Sequence, residues 1–451
     1  MTATATALLS ESLPEKLAAK TAQIGVVGMG YVGLPLTLLY SSVSLPVTGF
    51  DIDETKVNTL NDGGSYIVRI ESAEISRARQ AGFSATTDYS KVAEQDAIII
   101  CVPTPLNEYR EPDMSYIIST AESSAPYLRA GQLIVLESTT YPGTTEQVLV
   151  PILEKLNRAG LKASRGQENA DDVFYVAFSP EREDPGRTDI ERHDIPKVVG
   201  GLDQMAADLA AALYGTIFRR VVRVSTPAAA EMTKLLENIY RCVNIAMINE
   251  LKLLCLRMGI DLWEVIEAAK TKPFGFHAFY PGPGLGGHCI PVDPFYLSWK
   301  AKEYDFRTRF IELAGEVNTQ MPYHVVNSIG RALNKHRKAL NGSKVLVLGV
   351  AYKKDIDDLR ESPALTIIES LQKEGAEVSY NDPYFASVGQ GRHYKLNMKC
   401  ASLDNLQQYD CVVIVTDHSN YDYGRIVDEA QLVVDSRNAT RGIASSKIVH
   451  C

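Results

Sequence analysis

The stretch GPGLGGHCIPVDP, residues 282–294, presents a cysteine among glycines and prolines, where few neighbouring side chains would shield its sulfur. A thiolate is a strong nucleophile, so Cys289 is a candidate for covalent catalysis. The alternative is a buried thiol in a tight turn, which would be chemically inert. His288 adjoins the cysteine, but no second Cys/His pair stands at ligand spacing in the sequence, so the stretch does not predict a metal site.

Lys234 and Asn238 are a second pair of candidate catalytic residues. They are four residues apart in AEMTKLLEN, within a long helical pattern, and therefore share one face of that helix. On a semi-buried face, an ammonium and an amide can both donate to a negatively charged oxygen in a transition state. A polar pair on the surface of a helix would have the same spacing, so both interpretations stay open at this point.

The segment GMGYVG indicates a dinucleotide site. Gly28, Gly30 and Gly33 follow a short apolar strand and open a helical pattern, and Asp51 ends the next strand. This context lets the backbone approach a pyrophosphate at a helix N-terminus. A carboxylate at Asp51 accepts hydrogen bonds from the adenosine ribose and repels a 2′-phosphate, which predicts NAD rather than NADP. The alternative is a purely structural glycine turn.

The elements that position these residues alternate between strands and helices. Apolar runs such as QLIVLE and DVFYVAF are each followed by a polar loop, which is typical of βαβ units and a parallel sheet. Ligands of such sheets bind at the carboxyl ends of the strands. The loops at these ends carry Thr104, Ser138, Thr139 and Glu181.

A second α/β region starts near Lys344 and resembles a reduced copy of the first. Its segment GVAYKKD has Gly349 but lacks the spaced glycines, so we do not expect a second dinucleotide site there. Lys353, Lys354 and Arg360 form a basic loop, which suits a ligand that carries phosphate groups. A solvated charged loop would have the same composition.

The bulk composition is that of an ordinary globular chain. The 451 residues are 45% hydrophobic and carry a net charge of −9, which argues against general nucleic-acid binding. The seven cysteines form no C-x-x-C pair, which favours free thiols in a reducing compartment. The apolar runs are too short to span a membrane, and residues 1–20 lack the pattern of a signal peptide, so we expect a cytoplasmic protein.

Seven motifs follow one another along the chain, namely VVGMGYVGLPLT, VPTP, STTYPGTT, FSPER, AEMTKLLEN, GPGLGGHCIPVDP and GVAYKKDIDDLRESPA. This set resembles the UDP-glucose/GDP-mannose dehydrogenase family over about residues 22–445. The loop around Cys289 is most similar to the UDP-N-acetylhexosamine branch, in particular to UDP-N-acetylglucosamine 6-dehydrogenases. His288 and Val292 stand where the UDP-glucose branch typically has serine and lysine.

The resemblance implies a four-electron oxidation of the C6 hydroxyl of UDP-N-acetylglucosamine to a uronic acid with two NAD+, in the biosynthesis of a surface polysaccharide. Cys289 would attack the intermediate aldehyde to form a thiohemiacetal, and a second oxidation would leave a thioester that water hydrolyses. Gly286 and Gly287 would let the sugar and the nicotinamide approach the sulfur.

The resemblance also implies roles for individual residues. Lys234 and Asn238 would stabilise alkoxide-like oxygen, and Glu181 would act on the hydrolytic water. Asp293, with Thr139 and a bound water, would handle protons near the sugar. The implied contacts to NAD are Gly28, Gly30, Tyr31, Val32, Gly33, Asp51, Lys56, Thr104, Thr139 and Arg360. The implied contacts to the UDP-sugar are Glu181, Arg182, Lys234, Asn238, Tyr280, Gly284, Gly286, Lys353 and Arg437.

The fold class we expect is α/β, with two Rossmann-like, doubly wound parallel-sheet domains joined by a central helical domain that contains one long helix. The expected divisions are a mobile N-terminal tail (1–21), an NAD-binding domain (22–225), a helical domain with the substrate loop and dimer core (226–335), and a UDP-binding domain (336–451). The resemblance implies a homodimer or higher oligomer through the long helix. Lys272 or His277 stands near the place of an arginine that the family often lends across its dimer.

Several alternatives stay open. UDP-glucose and UDP-N-acetylmannosamine are alternative substrates, because the resemblance of one loop does not define the stereochemistry at C2. A two-electron β-hydroxyacid dehydrogenase, or a sugar-nucleotide sensor without activity, would be a different class of protein. Cys289→Ser separates these classes, because it should abolish complete oxidation in the first and be nearly silent in the other two.

Overall fold

The computed structural model describes residues 12–67, 70–107, 111–167, 169–182, 190–287, 290–391 and 394–451. The chain divides into two compact units, Met1–Leu236 and Glu237–Cys451. The division falls inside one long helix and therefore crosses the helical domain (226–335) expected from the sequence. Its residues 226–236 belong to the first unit, and the remainder belongs to the second.

The first unit is built on a nine-stranded sheet, as far as its residues are described. The strands are β1 (Ile24–Val27), β2 (Val47–Phe50), β3 (Ser84–Thr86), β4 (Ala97–Ile100), β5 (Leu133–Leu136), β6 (Lys162–Ala163), β7 (Val173–Phe178), β8 (Lys197–Gly201) and β9 (Val221–Val224). Their order is β3-β2-β1-β4-β5-β7-β8-β9, with β6 beside β7. The β7–β8 pair is antiparallel, and the others are parallel.

The central strands of this sheet are apolar on both faces because helices cover both faces. Every residue of β1, β4 and β5 is buried. The helices are α1 (Leu13–Ala19), α2 (Gly33–Ser42), α3 (Glu54–Asn61), α4 (Ser72–Gln80), α5 (Ser115–Ser124), α6 (Val150–Leu156), α7 (Gln204–Gly215) and the first part of α8 (Pro227–Met258). A π-helical turn, Thr145–Leu149, leads into α6.

The N-terminal segment differs from the expectation of a mobile tail. Helix α1 buries Leu13 and Leu17 in the hydrophobic core of the first unit. Lys16 on the same helix forms an ion pair with Asp96, at 2.8 Å. Leu13–Ala19 thus forms a short amphipathic helix that packs against this core, and residues 1–11 lie outside the described part of the chain.

The second unit combines helices with a smaller parallel sheet. Its strands are β10 (Lys344–Leu348), β11 (Glu377–Asn381), β12 (Ser387–Gln390), β13 (Lys395–Lys399), β14 (Cys411–Ile414), β15 (Val433–Asp435) and β16 (Ile448–His450). Five of them form a sheet in the order β11-β10-β14-β15-β16, and β12 pairs with β13 as an antiparallel hairpin. The helices after α8 are α9 (Leu262–Lys270), α10 (Asp293–Ala301), α11 (Arg309–Lys335), α12 (Pro363–Lys373) and α13 (Tyr423–Glu429).

The predicted fold class is confirmed, because one mostly parallel Rossmann-like sheet precedes, and another follows, a helical stretch of the chain that contains one long helix. No helix among the described residues is both long and apolar enough to cross a membrane.

Candidate active site

The turn after β1 has the backbone geometry that a dinucleotide needs. Gly28 has a φ of 94°, and a Cβ on it would lie 2.8 Å from the backbone oxygen of Cys101. A Cβ on Gly33 would lie 1.9 Å from the backbone oxygen of Gly28, so only glycine allows α2 to start this close to the strand. Around Gly30, in contrast, no described atom lies within 4 Å of such a Cβ, which leaves space for a phosphate near the N-terminus of α2. The same turn carries the other two residues expected there, Tyr31 and Val32.

Asp51 lies beside this turn, at the end of β2. Its Oδ2 atom accepts a hydrogen bond of 2.9 Å from the backbone N–H of Met29, and its Oδ1 atom accepts one of 3.0 Å from Asp53. The ammonium of Lys56 lies 3.5 Å from Oδ2. The loop thus holds the carboxylate next to the glycines, where a ribose hydroxyl of a bound dinucleotide would be recognised. The residues present therefore fit NAD.

Three of the expected site residues meet at the carboxyl edge of the first sheet. The hydroxyl of Thr104, after β4, donates to the backbone oxygen of Thr139, after β5, over 2.6 Å. The Nζ atom of Lys234, on α8, lies 2.5 Å from Oγ1 of Thr139. Lys234 is buried, so a developing negative charge near its ammonium would be only weakly screened by water.

Glu231 holds this arrangement together and was not identified from the sequence. Its two carboxylate oxygens accept hydrogen bonds from the backbone of Gly143 at 2.5 Å and of Thr145 at 2.9 Å. Burial raises the pKa of this carboxyl above its usual range, although the hydrogen bonds from Thr145 and Gly143 oppose the shift. The contact ties the loop that follows Thr139 to α8, one turn before Lys234. A glutamate in a helix is too common for its sequence position to have signalled this role.

Glu181 lies after β7 and is in contact with a lysine that sequence reasoning also missed. Its Oε2 atom is 3.1 Å from the ammonium of Lys197, which also pairs with Glu137. The guanidinium of Arg182 donates a hydrogen bond of 2.7 Å to the backbone oxygen of Pro196. The available signal was the lysine itself, at the start of the otherwise apolar strand KVVGG.

In the second unit, Asn238 is oriented by two neighbours. Asp293, fully buried at the start of α10, accepts a hydrogen bond of 2.5 Å from the Nδ2 atom of Asn238. Arg241 donates to the Oδ1 atom of the same amide. The amide nitrogen of Asn238 carries two hydrogens. The hydrogen bond to Asp293 uses one of them and fixes the direction in which the other points.

The loop before Cys289 is held by asparagines. The backbone N–H of Gly282 donates to Oδ1 of Asn249 over 3.0 Å, and Nδ2 of Asn249 donates to Oδ1 of Asn318 over 2.9 Å. A Cβ on Gly282 would lie 2.8 Å from Nη1 of Arg437, so this arginine lies directly against the loop. Burial lowers the pKa of Arg437 from its ordinary value, while Asp417 and Asp435 oppose the shift.

The glycines of this loop lie close to other residues of the second unit. A Cβ on Gly286 would lie 2.5 Å from Cβ of Tyr352, and one on Gly287 would lie 2.8 Å from the ring of Tyr352. At these two positions the structure shows the close approach of Tyr352, and the expected approach of the sugar and the nicotinamide stays a prediction. Gly284 likewise faces Pro363 and Pro322 at 3.1 and 3.3 Å. His288 and Cys289 lie outside the described residues.

The remaining substrate-side residues are distributed over the second unit. Tyr280 stacks on Trp263, with ring centroids 5.3 Å apart, and its hydroxyl donates to Glu267 over 2.6 Å. Lys353 is half-buried in the loop after β10. Arg360 forms a two-pronged ion pair with Asp358, and the backbone N–H of Gly287 donates to its backbone oxygen over 2.8 Å.

Asp382 is the counterpart of Asp51 in the second sheet, and groups of the protein itself bond to its carboxylate. Asp382, after β11, accepts hydrogen bonds from the backbone N–H groups of Val350 and Ala351, at 2.7 and 3.1 Å. The ring of the buried His418 lies 3.1 Å from the same carboxylate oxygen. Within the described ranges, no three His, Cys, Asp or Glu side chains gather in a way that could hold a metal ion.

Three domain profiles of one family match the chain in order. They are the NAD binding domain over residues 22–218, the central domain over 228–320 and the UDP binding domain over 346–442. The chain belongs to the UDP-glucose/GDP-mannose dehydrogenase family. Its cofactor is NAD, and it is an NAD-dependent UDP-sugar dehydrogenase, an oxidoreductase.

Individual members of this family are similar to the chain over nearly their whole length. UDP-N-acetyl-D-glucosamine 6-dehydrogenase of Pseudomonas aeruginosa is 33% identical over 89% of this chain and 92% of its own. UDP-N-acetyl-D-mannosamine dehydrogenase of Escherichia coli K12 is 36% identical over 93% and 99%. The structure of a UDP-D-ManNAc dehydrogenase from Pyrococcus horikoshii has a TM-score of 0.83 and 32% identity, covering 95% of this chain and 98% of that one.

Proposed function

We propose that the protein oxidises the C6 hydroxyl of a UDP-N-acetylhexosamine, with UDP-N-acetylglucosamine as its best substrate, to the uronic acid in two NAD-dependent steps. The observation that supports this most directly is the contact between Lys234 and Thr139, which places a buried ammonium at the carboxyl edge of the NAD-binding sheet. Oxidation of an alcohol needs such a cation, because negative charge develops on the alcohol oxygen as hydride leaves the carbon.

The proposed reaction balances as R–CH2OH + 2 NAD+ + H2O → R–COO− + 2 NADH + 3 H+. Bound NAD+ supplies the hydride acceptor in each oxidation. Between them, the Cys289 sulfur bonds to the aldehyde carbon to form a thiohemiacetal, whose oxidation leaves a thioester. Water then bonds to the thioester carbon, the carbon–sulfur bond breaks, and the thiol is regenerated.

The chain's own residues divide the work in this proposal. Lys234 stabilises the alkoxide-like oxygen in each step, and Asn238 adds its second amide hydrogen. Glu181 accepts a proton from the hydrolytic water, and Asp293 orients Asn238 while it exchanges protons near the sugar. Arg437 and Lys353 are the proposed cations for the diphosphate.

The choice among substrates is proposed from the loop around Cys289. The similar proteins carry names for both the N-acetylglucosamine and the N-acetylmannosamine sugar, at 33% and 36% identity, so their similarity does not separate the two. We propose that the product is an activated uronic acid for a surface polysaccharide. The described cysteines are free thiols, which supports a cytoplasmic location.

The test is the amount of NADH formed per sugar nucleotide at exhaustion, with excess NAD+ and limiting UDP-N-acetylglucosamine, UDP-N-acetylmannosamine or UDP-glucose. Two NADH per UDP-N-acetylglucosamine support the mechanism and the substrate. If two NADH form only with another sugar nucleotide, the proposed mechanism is supported and UDP-N-acetylglucosamine is rejected as the substrate. One NADH with every sugar indicates a two-electron dehydrogenase, and none rejects the enzymatic proposal.

We also propose a homodimer through α8. Exposed apolar side chains recur every three, four or seven residues along this helix, at Tyr240, Met247, Leu251, Leu254 and Met258. Such a stripe is typical of a helix that pairs with another helix. Light scattering should give twice the chain mass for the wild type and the single mass for Met247→Glu/Leu254→Glu; a monomeric wild type would reject the dimer.

A further inference from the structure

Glu181 belongs to a cluster of charged groups whose other two members, Lys197 and Glu137, are buried. Lys197, at the start of β8, has a side chain only 3% exposed, and its ammonium contacts the carboxylates of both Glu137 and Glu181. Glu137, at the carboxyl edge after β5, is fully buried, and its second oxygen accepts a hydrogen bond of 2.5 Å from the hydroxyl of Tyr214. Glu181 is the member of the cluster that reaches the surface, with a side chain 16% exposed.

The charges in this cluster are distributed unequally. Burial alone would lower the pKa of Lys197, but the two carboxylates outweigh it and raise the pKa, so the lysine stays protonated. Burial raises the pKa of Glu137 to about 7. The ammonium of Lys197 opposes this shift, and the carboxylate of Glu181 adds to it. The other titratable groups around Glu137 have pKa values raised by burial and stay neutral; they are Tyr40, Cys101 and Tyr214.

Near neutral pH, the two carboxylates therefore hold up to one proton between them, beside the permanent cation of Lys197. The fully buried Glu137 is the better site for the proton, because a charge costs more where water is absent. The negative charge then falls on Glu181, next to the ammonium of Lys197. This is the state that a general base needs.

We propose that Lys197 is a positioning residue, which keeps Glu181 ionised and aimed for proton transfer from the hydrolytic water, with Glu137 as the partner that holds the spare proton. This inference rests on the proposed function of Glu181. The water proton passes to the Glu181 carboxylate as the water oxygen bonds to the thioester carbon. The Cys289 thiolate then leaves, and Lys197 remains protonated throughout.

The test is Lys197→Met, which removes the cation and keeps the shape of the side chain. The matched control is Lys162→Met, since Lys162 is an exposed lysine of the same unit that lies 3.9 Å from Glu154. In a rapid-mixing experiment, we expect Lys197→Met to form two NADH per site in its first turnover and then to turn over at least about tenfold more slowly. Intact-protein mass spectrometry should show the sugar nucleotide bound covalently to Cys289, and the acid limb of the steady-state rate should move to higher pH.

A merely structural role of Lys197 would not trap the thioester or move the acid limb. The proposal is wrong if Lys197→Met turns over like Lys162→Met with an unchanged pH profile. If Lys197→Met does not fold, Lys197→Met/Glu137→Gln removes the cation together with the buried carboxyl group that it contacts, and the same slow hydrolysis is expected. Failure of both variants to fold would assign the cluster to folding alone. A wild type that forms one NADH per sugar would reject the proposed function itself, which separates the two failures.

Discussion

The ammonium of Lys234 lies 2.5 Å from the hydroxyl oxygen of Thr139, although the two residues are 95 positions apart in the chain. The lysine belongs to α8, and the threonine follows β5 in the NAD-binding sheet. Thr139 also accepts a hydrogen bond from Thr104 through its backbone oxygen, so the hydroxyl that meets the lysine is held in place. The cation is thus directed at the edge of the sheet where a parallel α/β fold binds its ligand.

Removal of the Thr139 hydroxyl should slow the oxidation steps. Thr139→Val keeps the shape of the side chain but deprives a buried charged donor of its partner, which costs about 1.5–3 kcal/mol. We expect kcat to fall roughly ten- to hundredfold. Thr139→Ser, which keeps the hydroxyl, is the control, and equal kcat values for the two variants would contradict a role for this contact.

Two glycines of one turn should respond in opposite ways to the same substitution. Gly33→Ala places a Cβ 1.9 Å from a backbone oxygen, so we expect a large loss of thermal stability. Gly30→Ala meets no described atom within 4 Å, so stability should be retained while the new methyl group obstructs the pyrophosphate. Melting temperature and calorimetric titration with NAD+ measure the two effects. Unchanged NAD+ affinity in a folded Gly30→Ala would argue against the pyrophosphate site.

The stability of the protein should depend on pH through Glu137. Burial raises the pKa of this carboxyl from 4.5 to about 7 in the folded state, so the folded state binds more protons between these values. Its contribution to stability is therefore complete below pH 4.5 and is lost as pH rises through about 7. Because one pKa unit corresponds to about 1.4 kcal/mol, the loss amounts to about 3 kcal/mol.

Glu137→Gln removes this titration. Urea unfolding of both proteins at pH 4.5, 6 and 8 should show that the advantage of the wild type over the variant shrinks as pH rises. A constant difference in the free energy of unfolding across this range would mean that Glu137 titrates normally.

The substrate loop should loosen when Asn249 is shortened. Asn249→Ala leaves the N–H of Gly282 and the amide of Asn318 without this partner, which costs about 1–3 kcal/mol. We expect the KM for the UDP-sugar to rise roughly tenfold while the KM for NAD+ stays the same. Asn244→Ala, on the same helix, removes only a bond to the backbone of Tyr240 and should behave like the wild type. A shared rise in both variants would point to a general effect on α8.

The sequence by itself determined the glycine turn, the acidic residue beside it and the alternating elements that support them. These features depend on neighbours in the chain. A residue with positive φ or without a Cβ is needed where a strand turns into a helix as closely as β1 turns into α2. Apolar runs that alternate with helical patterns are enough to predict a parallel sheet. The pairing of Lys234 with Asn238 on one helix was visible for the same reason, because helical spacing is local.

Only the tertiary structure decided which partners these side chains meet. Lys197 and Glu231 looked like ordinary charged residues, and their roles come from carboxylates and backbone groups that are far away in the chain. The glycines before Cys289 show the same limit, since a missing side chain signals a close approach without naming what approaches. At Gly286 and Gly287 it is Tyr352, from a loop more than sixty residues later, and long-range packing of this kind is not encoded in any short stretch of sequence.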